Sequence, residues 1–154
     1  MFQRFVATTT LKSSIRQTFV RQFATNEAVD GVGLLQLLRS KPIFIIDVRD
    51  PDEIASTGTI ESKFEEIGSV NSSVQYGEIT LNQILDGGLT LPEDEFEDAF
   101  EFPKPGFDDT LVFSCAAGVR SATAQKIAKD VGYESVINYL GGAHEFFTIE
   151  LSTK

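Results

Sequence analysis

The sequence predicts an α/β fold in which helices flank a mostly parallel sheet. Three observations carry this. Ile43 to Val48 is an apolar run of strand type, interrupted only by Asp47 near its end, the pattern of a strand buried on both faces. Thr110 to Gly132 passes from a second such run, Leu111-Val112-Phe113, into a segment where Ala124, Ile127, Ala128 and Val131 recur at helical spacing and Gly132 stops the helix. The chain has 154 residues, 42% hydrophobic and 23% charged, enough for one domain with a real core.

Residues 1–26 stand apart from that domain. They hold Arg4, Lys12, Arg16 and Arg21, no acidic residue, and seven Ser or Thr. Phe2, Phe5, Val6, Leu11, Ile15, Phe19 and Val20 fall at spacings suited to one helical face. This is the pattern of a mitochondrial transit peptide, and Arg21-Gln22-Phe23-Ala24-Thr25 has the form of a processing site. A disordered tail or a basic membrane-surface helix has a similar composition. The expected division is a leader over 1–26 and one domain over 27–154, with the mitochondrial matrix as the compartment. Without the leader, nine basic residues face 23 acidic ones, a net charge of −14. That excludes nucleic-acid binding, which needs basic patches. No apolar run approaches the roughly 18–20 residues of a membrane span, so no membrane insertion is expected.

In the order of the chain, 26–30 reads as a polar linker. Val32, Leu34, Leu35, Leu37 and Leu38 predict a short helix ending near Ser40, with Pro42 beyond. The strand at 43–48 follows, with Asp47 and Arg49 at its C-terminal end, where ligand crevices lie in open α/β sheets. Arg49 reads either as a structural partner of Asp47 or Glu53 or as a catalytic group. Asp50 and Pro51 open a second short helix as N-cap and first position. Residues 57–69 read as a loop, Val70 and Val74 as a short strand, and Ile79 to Leu85 as a helix stopped by Gly87-Gly88. Leu91 to Phe100 is an acidic helix; its carboxylates read as a solvated face, with acids favouring the helix N-terminus, rather than as a metal site. Val136 to Leu140 is the last strand, Gly141-Gly142 a turn, and 143–151 a closing helix.

The chemistry concentrates between the strand at 111–113 and the helix that follows. There lie Cys115-Ala116-Ala117-Gly118-Val119-Arg120, with Ser121 at the helix start and the chain's single cysteine at the head. A helix N-terminus offers unpaired N–H groups and a partial positive charge. Small residues with a glycine let successive N–H groups face one concavity and hold an anion. Arg120 adds a full charge. Together they favour thiolate over thiol, so Cys115 is expected to have a lowered pKa and to be nucleophilic. A buried structural cysteine is the plainer reading, but it requires neither Gly118 nor Arg120. One cysteine excludes an internal disulfide, a cysteine-cluster metal site and an internal resolving thiol. His144, the only histidine, invites a Cys–His protease reading; with the nucleophile loop already supplied with activating groups, it reads as a surface or pocket-rim residue.

Cys-x-x-x-x-Arg-Ser between strand and helix resembles the active-site loop of the rhodanese (sulfurtransferase) family. Asp47-Val48-Arg49 resembles that family's Asp-Val-Arg segment, Gly58-Thr59-Ile60 its Gly-His-Ile with Thr for His, and Tyr139-Leu140-Gly141-Gly142 its closing turn. The four segments fall in the right order over about residues 28–150. The likeness is greatest to the small single-domain members that pass sulfur from thiosulfate to glutathione.

The resemblance implies a rhodanese-like three-layer fold with a five-stranded sheet. It implies Cys115 as the catalytic nucleophile and the loop Ala116, Ala117, Gly118, Val119, Arg120 and Ser121 as the substrate cradle. It implies a pocket-shaping pair in Asp47 and Arg49, and it places Phe146 and Phe147 where the family commonly has Trp. The partners are a small anionic sulfur donor and a thiol acceptor. No metal or organic cofactor is required. The oligomeric state stays open, with a monomer as the working expectation. Two other readings remain. A cysteine-dependent phosphatase or arsenate reductase uses a similar loop but has five residues between Cys and Arg, where this chain has four. A non-catalytic rhodanese-like binding module often lacks the cysteine that is present here.

Overall fold

The computed structural model describes residues 27–149. Five parallel strands form one sheet in the order β1-β5-β4-β2-β3: Ala28–Val29 (β1), Ile43–Asp47 (β2), Gln75–Glu78 (β3), Thr110–Ser114 (β4) and Ser135–Tyr139 (β5). Between them run Gly31–Ser40 (α1), Pro51–Thr57 (α2), Phe64–Ile67 (α3), Leu81–Leu85 (α4), Glu93–Phe100 (α5), Val119–Val131 (α6) and Gly142–Phe146 (α7). The leader assigned to 1–26 lies outside the described residues. Among the described residues no helix is long and apolar enough to cross a membrane.

The sheet separates two apolar layers, which makes the fold three-layered. Period-two alternation sends Ile46, Leu111, Phe113 and Val136 to one face, against Phe96, Ala124 and Ala128. It sends Ile43, Ile45, Val112 and Ile137 to the other, against Leu34, Leu38 and Phe146. The central strands β2 and β4 are apolar on both faces because both faces are covered.

Several local expectations are corrected. The supposed linker contains β1, whose Ala28 and Val29 pair with Asn138 and Tyr139. Two residues carry no readable alternation; only the neighbouring strand makes them a strand. The expected strand around Val70 and Val74 lies further on, at 75–78 along β2. The supposed loop 57–69 contains a 3-10 turn at Glu61–Lys63 and α3. Leu91 and Pro92 precede α5 instead of opening it. The closing helix stops at Phe146, before 147–149.

The capping expectations at α2 hold, with a capping box of Asp50 and Glu53 and Pro51 in the first turn. From β2 the chain crosses to β3 at one edge, and from β4 it crosses to β5 on the other side. The crevice beyond the carboxyl ends of β2 and β4 is therefore the topological switch point, where open α/β sheets bind ligands. Register places Asp47 beside Ser114, so the segment after β2 and the cysteine loop after β4 meet there.

Candidate active site at the cysteine loop

Cys115 leaves β4 directly and is only 1% exposed. Its Sγ receives the backbone N–H of Gly118 at 3.1 Å and that of Ser121 at 3.4 Å, and the Ser121 hydroxyl lies at 3.3 Å. The loop achieves this convergence because Gly118 takes φ +88°, a left-handed conformation that glycine adopts without cost. A Cβ there would also run into the Leu140 carbonyl. Burial pushes the thiol up. The Ser121 hydroxyl and the N–H groups of Ser121, Ala117 and Gly118 outweigh it, and hold the Cys115 pKa below its ordinary value.

The loop is held from behind by the turn after β5. Ala143 donates its N–H to the Cys115 carbonyl at 2.7 Å and His144 donates to the Ala116 carbonyl at 3.0 Å. Gly142 permits this approach, since a Cβ there would lie 2.5 Å from both carbonyl oxygens. Asn138, on β5, donates from Nδ2 to the Gly118 carbonyl at 3.1 Å.

Arg120 has a partner outside the loop. Its guanidinium is given to Glu53 through hydrogen bonds of 2.7 and 2.8 Å, so its charge is already partnered. The lowering at Cys115 comes first from the Ser121 hydroxyl and then from the N–H groups of Ser121, Ala117 and Gly118, while Arg120 and Cys115 also attract each other electrostatically. Val119 turns its side chain outward and is 75% exposed, while Ala117 is exposed and Ala116 half-buried.

Asp47 and Arg49 form the structural pair that was one of the two readings. Both are buried, at 0% and 2% exposure. Arg49 reaches Asp47 from Nε at 2.9 and 3.1 Å and from Nη2 at 2.6 Å; it also donates to the Thr57 hydroxyl and the Gly58 carbonyl. Burial opposes the Arg49 charge, but Asp47 first, with Tyr76 and Glu53, holds its pKa above the ordinary value. The Tyr76 hydroxyl donates toward Asp47 and Glu78. Burial and those two carboxylates push its pKa up, so it stays protonated.

A cleft of about 540 Å³ opens beside Ala116. Arg49, Glu53, Ser56 and Thr57 from the segment after β2 line it together with Ala143, His144 and Phe147 from the segment after β5. The Arg49 guanidinium carbon lies 6.0 Å from the centroid of the Phe147 ring. His144 is thus at the pocket rim. Phe147 stands in the wall, while Phe146 packs in the core. Sequence reasoning missed the roles of Asn138, Tyr76 and the Glu53–Arg120 pair. Asn138 carried a signal, since a polar residue inside an otherwise apolar last strand calls for a partner. Tyr76 and Glu53 carried none that periodicity could reveal.

Comparison with known proteins agrees with this architecture. The family model described as "Rhodanese-like domain" matches residues 33–148. Thiosulfate sulfurtransferase/rhodanese-like domain-containing protein 3 of Mus musculus is 39% identical over 129 residues, which are 84% of this chain and 73% of that one. Thiosulfate sulfurtransferase RDL2, mitochondrial, of Saccharomyces cerevisiae is 35% identical over 102 residues, 66% of this chain and 58% of that one. Among solved structures, the human single-domain sulfurtransferase TSTD1 superposes with a TM-score of 0.65 at 26% identity, covering 80% of this chain and 97% of that one.

Proposed function

Because this chain belongs to the rhodanese-like domain family of sulfurtransferases, we propose that it carries sulfane sulfur from thiosulfate to a thiol such as glutathione, on Cys115. One observation carries the reading: hydrogen-bond donors of a strand-to-helix loop converge on the Sγ of the chain's one cysteine.

The thiolate attacks the outer sulfur of thiosulfate. A Cys115–sulfur bond forms, the sulfur–sulfur bond of thiosulfate breaks, and sulfite departs with its electron pair. Cys115 is left as a persulfide. The N–H groups that stabilise the thiolate are placed to stabilise the negative terminal sulfur as well. An acceptor thiolate then attacks that sulfur, a new persulfide forms on the acceptor, and Cys115 leaves as thiolate. The two steps give ping-pong kinetics. Asp47 and Arg49 act through structure, by holding the wall of the cleft.

The leader reading belongs to the same proposal, with the protein in the mitochondrial matrix. It is supported by the acid-free basic composition of 1–26 and by the yeast relative's printed mitochondrial name. The test incubates the protein with thiosulfate and reads its intact mass. The expected result is an adduct of about 32 Da, one sulfur, which glutathione or cyanide removes. In Cys115→Ser the adduct and turnover are both absent. A Ser variant that kept its turnover would overturn the assignment.

A further inference from the structure

A dianionic donor meets an electrostatic problem at this site. Residues 27–154 carry a net charge of −14, and the attacking sulfur is itself negative. The cations near the cleft are each already paired with a carboxylate. Arg49 is buried on Asp47 and Arg120 is bound by Glu53. The residues between Cys115 and Arg120, namely Ala116, Ala117, Gly118 and Val119, add no positive group. The N–H groups of Gly118 and Ser121 already point at Sγ.

Two polar side chains in the cleft wall, those of Ser56 and His144, make no hydrogen bond to a described residue, and of the two His144 is the one whose backbone is tied to the cysteine loop. His144 is exposed, lines the cleft together with Ala116, and is fixed there by its own N–H on the Ala116 carbonyl at 3.0 Å. Its imidazole makes no hydrogen bond to a described residue. The charged groups around it are partnered: Glu53 with Arg120, Arg49 with Asp47, and Glu145 with the Tyr139 hydroxyl. An imidazole carries an N–H donor whether neutral or protonated, so it serves an anion in either state.

We infer that His144 is the specificity-determining residue for anionic donors, hydrogen-bonding the oxygens of the donor's leaving sulfite while Cys115 takes the outer sulfur. This rests on the sulfurtransfer reading and adds to it the group that recognises the donor's far end. The interaction exists in the bound donor as well as in the transition state, so it acts on KM and leaves kcat nearly unchanged.

The experiment measures steady-state turnover of thiosulfate with saturating glutathione for the wild type, His144→Phe and His144→Lys. Alkylation of Cys115 by uncharged iodoacetamide is measured in parallel. Loss of one hydrogen bond to a charged group is expected to raise KM for thiosulfate about tenfold in H144F, with kcat within about twofold. H144K is expected to restore KM to the wild-type value or below. Methanethiosulfonate, with one negative charge, is expected to lose less than thiosulfate. Alkylation rates are expected to be the same in all three proteins.

Equal KM values across the three proteins overturn the assignment of His144 and leave sulfurtransfer standing. So does a loss in H144F confined to kcat, or one matched by slower alkylation, since either reports a disturbed loop. A wild type that takes up no sulfur from thiosulfate, read by intact mass, overturns the underlying reaction instead.

Discussion

Arg120 grips Glu53 with two hydrogen bonds, at 2.7 and 2.8 Å, and so ties the end of the cysteine loop to the first turn of α2. Arg120 foremost holds the Glu53 carboxyl down, to about 2; partial burial opposes this and the Asp50 N–H assists. A carboxyl with a lower pKa folded than unfolded binds fewer protons in the native state. Its stabilisation is therefore full above the ordinary carboxyl value of 4.5 and is lost as pH falls toward 2. Both partners are about one-third exposed, and solvent screening limits the pair to about 1 kcal/mol. In Glu53→Gln the melting temperature is expected to fall at pH 7 and to converge with the wild type near pH 2–3. Thermal unfolding across that range checks it, and a difference that stayed constant with pH would contradict the pairing.

Ser121 supplies both a hydroxyl and an N–H to the thiol, and Ser121→Ala removes only the first. The Cys115 pKa should rise, because one hydrogen bond to the charged form is lost. Iodoacetamide alkylation followed against pH reads this directly. An unmoved profile would assign the activation to the backbone alone.

Asp47 and Arg49 are a different kind of pair, because neither sees solvent. Removing one leaves the other charged and buried, at a cost of about 3–5 kcal/mol. Asp47→Asn and Arg49→Met are each expected to destabilise by that order in urea unfolding. The double variant is expected to lose less than the sum of the two. Additive losses would mean that the two side chains act independently.

Gly118→Ala tests the loop geometry. Alanine at φ +88° costs about 1–2 kcal/mol, and its methyl group would meet the Leu140 carbonyl. The variant is expected to fold with a displaced loop, to lose at least about tenfold in sulfurtransfer through a lost N–H donor, and to show a raised thiol pKa. Wild-type turnover in this variant would show that Gly118 does not aim the donor.

Sequence alone determined much of this protein. The apolar runs 43–46 and 111–113 lie in strands buried on both faces, and such strands announce themselves because covering both faces leaves no polar alternation. Capping chemistry at Asp50-Pro51 is local in sequence, so it was legible too. Cys115, Gly118 and Ser121 lie within seven consecutive residues, and a strand-to-helix loop of small residues constrains where its N–H groups can point. Tertiary structure decided what depends on partners distant in the chain. Ala28 and Val29 become a strand only beside Asn138 and Tyr139. Arg120 hydrogen-bonds Glu53, 67 residues away, as well as attracting Cys115 electrostatically. Arg49 could have paired with Asp47 or Glu53, and the fold joins it to Asp47. His144 reaches the rim because its N–H docks on Ala116, across 28 residues of chain. Periodicity and capping report the interactions a residue makes within a few positions of itself. Which side chain neutralises which charge is settled by the approach of separate segments, and one sequence carries no direct record of that distance.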